Sequence, residues 1–185
     1  PQRWHARVQR MERLAPDLMR LQLALPEGER IAFRAGQYIN IVVNDGVGDG
    51  AKRAFSFANP PHESGIELHV RRIPGGRFTT HVFERMQVGD EIAFEGPLGR
   101  FTLQDSERPI LFVAGATGFA PVKSILEDAF ARGVRRPMVL YWGVRTAGEL
   151  YLLDRIREWE QQHSNFRFVP VLSHADDDKQ WPGRR

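Results

Sequence analysis

The sequence contains no cysteine. That absence excludes disulfides, thiolate metal sites, cysteine-held iron–sulfur clusters and cysteine nucleophiles within this stretch. No apolar run approaches the roughly 20 residues a membrane helix needs. The start of the chain also lacks a signal-peptide pattern. A soluble chain with a cytoplasmic address and no membrane partner is expected. Lysine is scarce: Lys52, Lys123 and Lys179 stand among 26 basic residues, and the rest are arginine. Asp and Glu number 23, so the formal net charge is only +3 although the sequence pI is near 9.7. A field that weak gives no reason to expect nucleic acid. The arginine excess suits bidentate recognition of phosphate or carboxylate, and coding bias accounts for it equally well. The histidines show no paired metal-ligand spacing, so no metal site is expected. No Ser-His-Asp arrangement is legible, and Ser56 lacks the glycines of a nucleophile elbow.

What remains is globular in proportion. Hydrophobic residues make up 42% and charged residues 26% of 185 positions, enough for a sizeable core and one to two domains. Residues 4–10 and 18–25 alternate apolar and polar side chains around the turn signal Ala15-Pro16-Asp17. Further strands are expected at 38–43, 53–58, 66–73 and 90–95, with a glycine-rich loop at 44–50. A short helix is expected at 78–86, where Phe78, Val82 and Met86 share one side. Six strands and one small helix predict an antiparallel, closed Greek-key β-barrel over residues 1–104.

Beyond the polar stretch 104–107 the pattern changes to alternating strand and helix over 105–185. The apolar run 110–114 predicts a strand buried on both faces, and 138–143 a second buried strand. A third strand is expected at 166–172, with helices at 120–132 and 149–161. This β-α-β-α-β order begins a parallel α/β sheet. Doubly wound nucleotide folds usually have more strands, and so few leave a long sheet edge. The chain is therefore expected to be incomplete at its C-terminus, and Pro1 in place of Met points the same way. The run Asp176-Asp177-Asp178 reads as a solvated loop.

Four segments carry chemistry. Arg53-Ala54-Phe55-Ser56 puts a cation, a ring and a hydroxyl on one strand beside a polar loop. Taken alone it fits an ordinary barrel strand as well as an anion site. Gly75-Gly76-Arg77-Phe78-Thr79-Thr80 lets the backbone turn tightly and then starts a helix. The helix's first free N–H groups and its positive dipole end make a phosphate cradle, to which Thr79 and Thr80 add hydroxyl donors. Without Arg53 this segment is equally a turn and an N-cap. Gly115-Ala116-Thr117-Gly118-Phe119-Ala120-Pro121 lies between a buried strand and a helix, where nucleotide folds place pyrophosphate. It has Pro121 in place of the third glycine of a dinucleotide fingerprint. Tyr141-Trp142-Gly143-Val144-Arg145 ends the second parallel strand, which places Arg145 toward a ribose or phosphate and leaves Trp142 for packing.

In this order and spacing the four segments resemble the ferredoxin–NADP reductase superfamily, from about Trp4 to Ser173. The chain is most similar to its bacterial oxygenase-reductase and NAD(P)H-flavin reductase branch; CDP-6-deoxy-hexulose dehydratase reductase is a similar multidomain member. The resemblance implies that Arg53 binds flavin phosphate, that Phe55 lies against the isoalloxazine, and that Ser56 approaches flavin N5. Phe55 and Ser56 are then the residues at the reacting ring. Phe55 stands where the family has Tyr, so a phenol hydrogen bond is missing. His69, Val70 and Arg71 match the next flavin-contacting strand, and Gly75, Gly76 and Thr79 the phosphate site. Gly115, Thr117, Gly118 and Pro121 match the nicotinamide-nucleotide loop, with Ala116 where many relatives have Gly. Arg145 and Ser173 match positions near the adenosine ribose.

The implied cofactors are FAD, with FMN as the alternative, and NADH or NADPH. Arg145 weakly favours NADPH. Hydride passes from the nicotinamide to flavin N5, and the electrons then go to an iron–sulfur centre or a partner protein. The implied partner is a ferredoxin-type domain or an oxygenase or dehydratase component. Relatives continue into further strands and a Cys-Gly-Pro motif, and many carry a [2Fe–2S] domain, which would lie outside this sequence. The alternative is a free-flavin reductase using flavin as substrate. A more distant alternative is a non-catalytic nucleic-acid-binding barrel.

Overall fold

The structure, a computed structural model, describes residues 1–44 and 46–174. The aspartate run at 176–178 lies outside the described residues. Strand β1 (Gln2–Ala15) is longer than its alternation predicts because its two halves pair with different neighbours. Its first half pairs with β6 (Glu91–Leu98) and its second with β2 (Leu18–Ala24). With β3 (Tyr38–Val42), β4 (Lys52–Ser56) and β5 (Ile66–Arg71) they form a six-stranded antiparallel sheet in the order β4-β3-β6-β1-β2-β5. β6 returns between β1 and β3, the Greek-key crossing expected. The edge strands meet where the Ala58 N–H donates to the Glu67 carbonyl at 2.8 Å, so the sheet closes on itself.

Alternation decides what the barrel holds. Leu21, Leu23, Ile39, Ile41, Leu68, Val70 and Phe94 are all buried in its core. Phe33 stacks on Phe57 at 3.8 Å. Helix α1 (Arg77–Glu84) contributes Phe78 and Val82 to the same core. On β5 the odd positions Glu67, His69 and Arg71 therefore face away from the core, toward the second lobe.

That lobe holds β7 (Ile110–Gly115), α2 (Phe119–Ala131), β8 (Met138–Val144), α3 (Leu153–Gln162) and β9 (Phe166–Leu172). The strands are parallel in the order β7-β8-β9, with Ile110 opposite Met138 and Met138 opposite Phe166. α3 starts four residues later than its periodicity predicts. Leu152, at φ 55, breaks the helical path between α3 and the short 3-10 turn Ala147–Glu149.

The expectation of double burial fails for β7 and β8. Phe112 and Ala114 are buried, but Leu111 is 65% and Val113 73% exposed. Val139 and Tyr141 are half-buried. Both α2 and α3 pack on the face that carries Phe112, Leu140 and Trp142, so among the described residues no helix covers the other face. An apolar run reports β-strand chemistry, not which faces are covered. Trp142 is fully buried, stacks on Phe119 at 4.3 Å and donates Nε1–H to the Ala116 carbonyl, a packing residue as its position predicted. Among the described residues no helix is long and apolar enough to cross a membrane.

Candidate cofactor-binding site

A crevice of about 370 Å³ opens between the two lobes. Its barrel side is formed by Arg53, Ala54, Phe55 and Ser56 from β4, His69 and Arg71 from β5, and Ile73, Gly76, Phe78 and Thr79 around the start of α1. Its other side is formed by Thr117, Gly118, Ala120 and Pro121 at the start of α2. The first three chemical segments, separated in sequence, thus meet around one space. A larger hollow of about 670 Å³ lies against β1, β3, β6 and α1. It involves no residue of the second lobe and only Phe78 borders both, so the crevice is where the segments converge.

The crevice is electropositive by construction. α1 begins after Gly76 and α2 after Gly118, and neither N-terminus has a side-chain cap. Two positive dipole ends border the same space; α1 brings the freer amides, because the 3-10 turn Ala116–Gly118 runs straight into α2, where the Phe119 N–H is bonded to the Thr117 carbonyl and Pro121 has none. The exposed Arg53 guanidinium donates to the Lys52 carbonyl at 2.9 Å and, among the described residues, pairs with no carboxylate. Arg71 lies 3.7 Å from Asp17 and 3.9 Å from Glu149, and its buried Nε has no hydrogen-bond partner among the described residues. Phe55 and Phe78 offer ring faces with centroids 5.4 Å apart.

The glycines show where space is needed. A Cβ on Gly76 would meet Thr79 Oγ1 at 2.8 Å and the Ile73 carbonyl oxygen at 3.0 Å. At Gly115 and Gly118 a Cβ would meet nothing within 4 Å, so those backbones face open space. Gly75 turns the chain at φ +75, which favours glycine.

Some expected roles need correction. The Thr79 hydroxyl accepts from the Ile73 N–H at 3.0 Å and donates to the Ile73 carbonyl at 3.2 Å. It staples the loop and is not a free donor. Val70 is fully buried in the barrel core, so only its backbone faces outward. Gly75, Gly115, Arg145 and Ser173 do not line the crevice. Arg145 lies just past β8 and is held by Glu149 at 2.9 Å; Ser173, past β9, donates its N–H to the Val144 carbonyl at 3.0 Å. Both occupy the carboxyl end of the parallel sheet, beyond the crevice.

Glu67, Lys123, Glu149 and Tyr151 were not singled out as site residues by the sequence reading. His69 Nε2 lies 2.7 Å from Glu67, and its Nδ1 2.9 Å from the Tyr151 hydroxyl. Lys123 Nζ lies 3.3 Å from Glu67. Glu149 lies between Arg71 and Arg145. Burial alone would raise the Glu67 pKa, but the His69 hydrogen bond and the Lys123 charge overcome it and hold the carboxyl at about 2. Burial lowers the His69 pKa, against the pull of Glu67, and burial raises that of Tyr151. A neutral His69 therefore donates Nε2–H to Glu67 and accepts a hydrogen bond from the Tyr151 hydroxyl at Nδ1. The signal available in sequence was the polar series Glu67, His69, Arg71 on a strand whose other face is core.

The sequence matches the oxidoreductase FAD-binding domain family over residues 5–103 and the oxidoreductase NAD-binding domain family over residues 112–185. The chain belongs to the ferredoxin–NADP reductase superfamily. Its first lobe is the FAD-binding domain of that superfamily and its second the NAD-binding domain. It is 44% identical over 177 residues to reductase component 2 of terephthalate 1,2-dioxygenase from Comamonas sp., covering 95% of this chain and 51% of that protein. It is 38% identical over 174 residues to the CDP-6-deoxy-L-threo-D-glycero-4-hexulose-3-dehydrase reductase of Yersinia pestis, covering 94% and 50%. The crystal structure of Amycolatopsis cytochrome P450 reductase GcoB superposes with a TM-score of 0.83 at 42% identity, covering 92% of this chain and 52% of that one. The chain spans about half the length of the curated relatives it matches.

The residues fit a superfamily member's flavin nucleotide. Arg53, which pairs with no carboxylate among the described residues, and the start of α1, which no side chain caps, answer a diphosphate. Phe55 answers a planar ring, and Gly118 turns open backbone to the crevice, since a Cβ there would meet nothing within 4 Å.

Proposed function

We propose that the protein is a flavin-dependent reductase that takes electrons from NAD(P)H and passes them, through FAD held in the crevice, to an iron–sulfur centre or partner protein. One observation carries this reading: Arg53 and the uncapped starts of α1 and α2 converge on one space lined by aromatic rings. When bound, the flavin accepts two electrons together and releases them singly. The chain's own residues bind and orient. Arg53 and the amides after Gly76 hold the flavin phosphates, and Phe55 and Ser56 set the ring against β4. Arg71 adds a second arginine to the lining of the same crevice. Thr117, Gly118 and Pro121 receive the nicotinamide nucleotide, with Gly115 giving backbone clearance. Arg145 and Ser173 stand at the far end, where the adenosine ribose would lie. Val70 and Gly75 contribute backbone only.

In this reading the chain divides at 104/105 into a flavin lobe and a nucleotide lobe. Its partner is a ferredoxin-type domain or an oxygenase or dehydratase component, and its address is cytoplasmic. The relatives named above are reductases or reductase components of such systems, which supports the partner class.

The test uses the full-length protein. It should purify yellow, retain FAD through gel filtration and bleach on addition of NADH or NADPH. Pro121→Ala should leave flavin content intact and slow only the bleaching. A colourless protein that reduces added flavin would support the free-flavin alternative. Flavin loss in Pro121→Ala would show that the two nucleotide positions are exchanged.

A further inference from the structure

The helix that presents the nucleotide loop is fastened to the strand that presents the flavin motif, and the fastening is polar. Two residues after Pro121, Lys123 Nζ donates to the Ala58 carbonyl at 3.0 Å. Its neighbour Ser124 donates Oγ–H to the Asn59 carbonyl at 2.8 Å. Ala58 and Asn59 follow the Arg53–Ser56 motif with only Phe57 between. Both side chains are buried, Lys123 to 2% exposure and Ser124 completely. Lys123 is also 3.3 Å from Glu67 and 2.6 Å from Glu127. A third tie reaches α2 through a ring contact: Tyr151, which meets the ring of Phe119 at the start of α2 edge-on at 5.5 Å, hydrogen-bonds His69 on β5 at 2.9 Å. The receiving segment is itself braced, because Asn59 donates to the Gly65 carbonyl and accepts from the Glu67 N–H.

A helix packed by apolar side chains alone can rotate or slide at small cost, because dispersion contacts are non-directional. Burying an ammonium ion is expensive and gains little net stability over apolar packing. What it gives here is direction: adjacent donors on one turn of α2 address adjacent carbonyls on the barrel. We propose that Lys123, Ser124 and Tyr151 are positioning residues, which set the register of the α2 N-terminus against the β4 motif and thereby the separation of the two bound ring systems. This rests on the function proposed above. Near-attack placement makes such register matter, since a misplacement of about 1 Å can cost about 100-fold in rate.

The experiment uses the full-length, flavin-loaded protein with Ser124→Ala and Tyr151→Phe, and Lys123→Met as a stronger variant. Flavin affinity is read by fluorescence titration. Flavin bleaching is followed in single turnover at saturating nicotinamide nucleotide, and reoxidation by ferricyanide separately. Hydrogen exchange is read over the 117–126 segment. Ser124→Ala and Tyr151→Phe should keep flavin affinity within about twofold and reoxidation unchanged, while bleaching slows about tenfold and exchange rises. Bleaching within about twofold of wild type in both variants overturns the proposal. So does loss of flavin in step with loss of thermal stability, which would show a role in the fold alone. If Lys123→Met fails to fold, the two milder variants still decide. Wild-type protein that neither holds flavin nor bleaches would instead overturn the function itself, and this inference with it.

Discussion

His69 and Tyr151, 82 positions apart in sequence, share a hydrogen bond of 2.9 Å between the two lobes. His69 also faces Glu67 and feels Lys123 and Arg20. Because burial lowers its pKa, the unfolded chain takes up a proton near 6.5 that the folded chain resists. The associated stability is complete above that value and is lost as pH falls below it. Glu67 has the same sign: held at about 2 against an ordinary 4.5, it loses its contribution as pH falls from the upper value toward the lower. Urea unfolding of the full-length protein should therefore show midpoints that fall in two stages on acidification. His69→Gln should flatten the first stage, below about pH 6.5. A variant curve parallel to wild type would remove His69 from the acid response.

Arg53→Ala removes a cation that pairs with no carboxylate among the described residues, so its loss should cost the fold little. Flavin binding should weaken by roughly 1.5–3 kcal/mol, the scale of a charged hydrogen bond. Fluorescence titration of the apoprotein measures this directly, and unchanged affinity would take Arg53 out of the site.

Gly76→Ala would place a Cβ 2.8 Å from Thr79 Oγ1 and 3.2 Å from the Ile73 Cβ. The Thr79 hydroxyl must then leave the Ile73 backbone, which it both donates to and accepts from. We expect a stability loss of about 1–3 kcal/mol together with weaker flavin retention. Thermal unfolding with and without added FAD separates the two effects. An unshifted melting point would mean that the staple contributes nothing.

Ala116 sits at φ 48, in the left-handed region that disfavours a Cβ. Its carbonyl accepts from Trp142 Nε1, which holds the strained turn in place. Ala116→Gly should raise stability by about 0.5–1 kcal/mol, the strain relieved less the entropy gained by the unfolded chain. Denaturant unfolding tests the sign, and a destabilised variant would show that the turn is unstrained.

The segments that carry chemistry were readable because each depends on local backbone rules. Gly75-Gly76 before a helix and Gly115–Pro121 between strand and helix each put a glycine, with no side chain to cap, at a helix start. The lobe-to-lobe contacts were not readable. Lys123 sits on an amphipathic helix, where a lone lysine reads as solvent-facing, yet it is almost fully buried against the barrel. Thr79 looked like a ligand donor because sequence shows a hydroxyl but not the partner that occupies it.

By itself the sequence determined which strands and helices form, since apolar periodicity and turn residues act over a few neighbours. It also determined that helix starts after glycine and an arginine-bearing strand exist. Only the tertiary structure decided that they share one crevice, that Glu67, His69 and Arg71 face the second lobe, and that Leu111 and Val113 lie uncovered. Those outcomes depend on which surfaces pack together, and packing joins residues whose separation along the chain leaves no mark in local pattern.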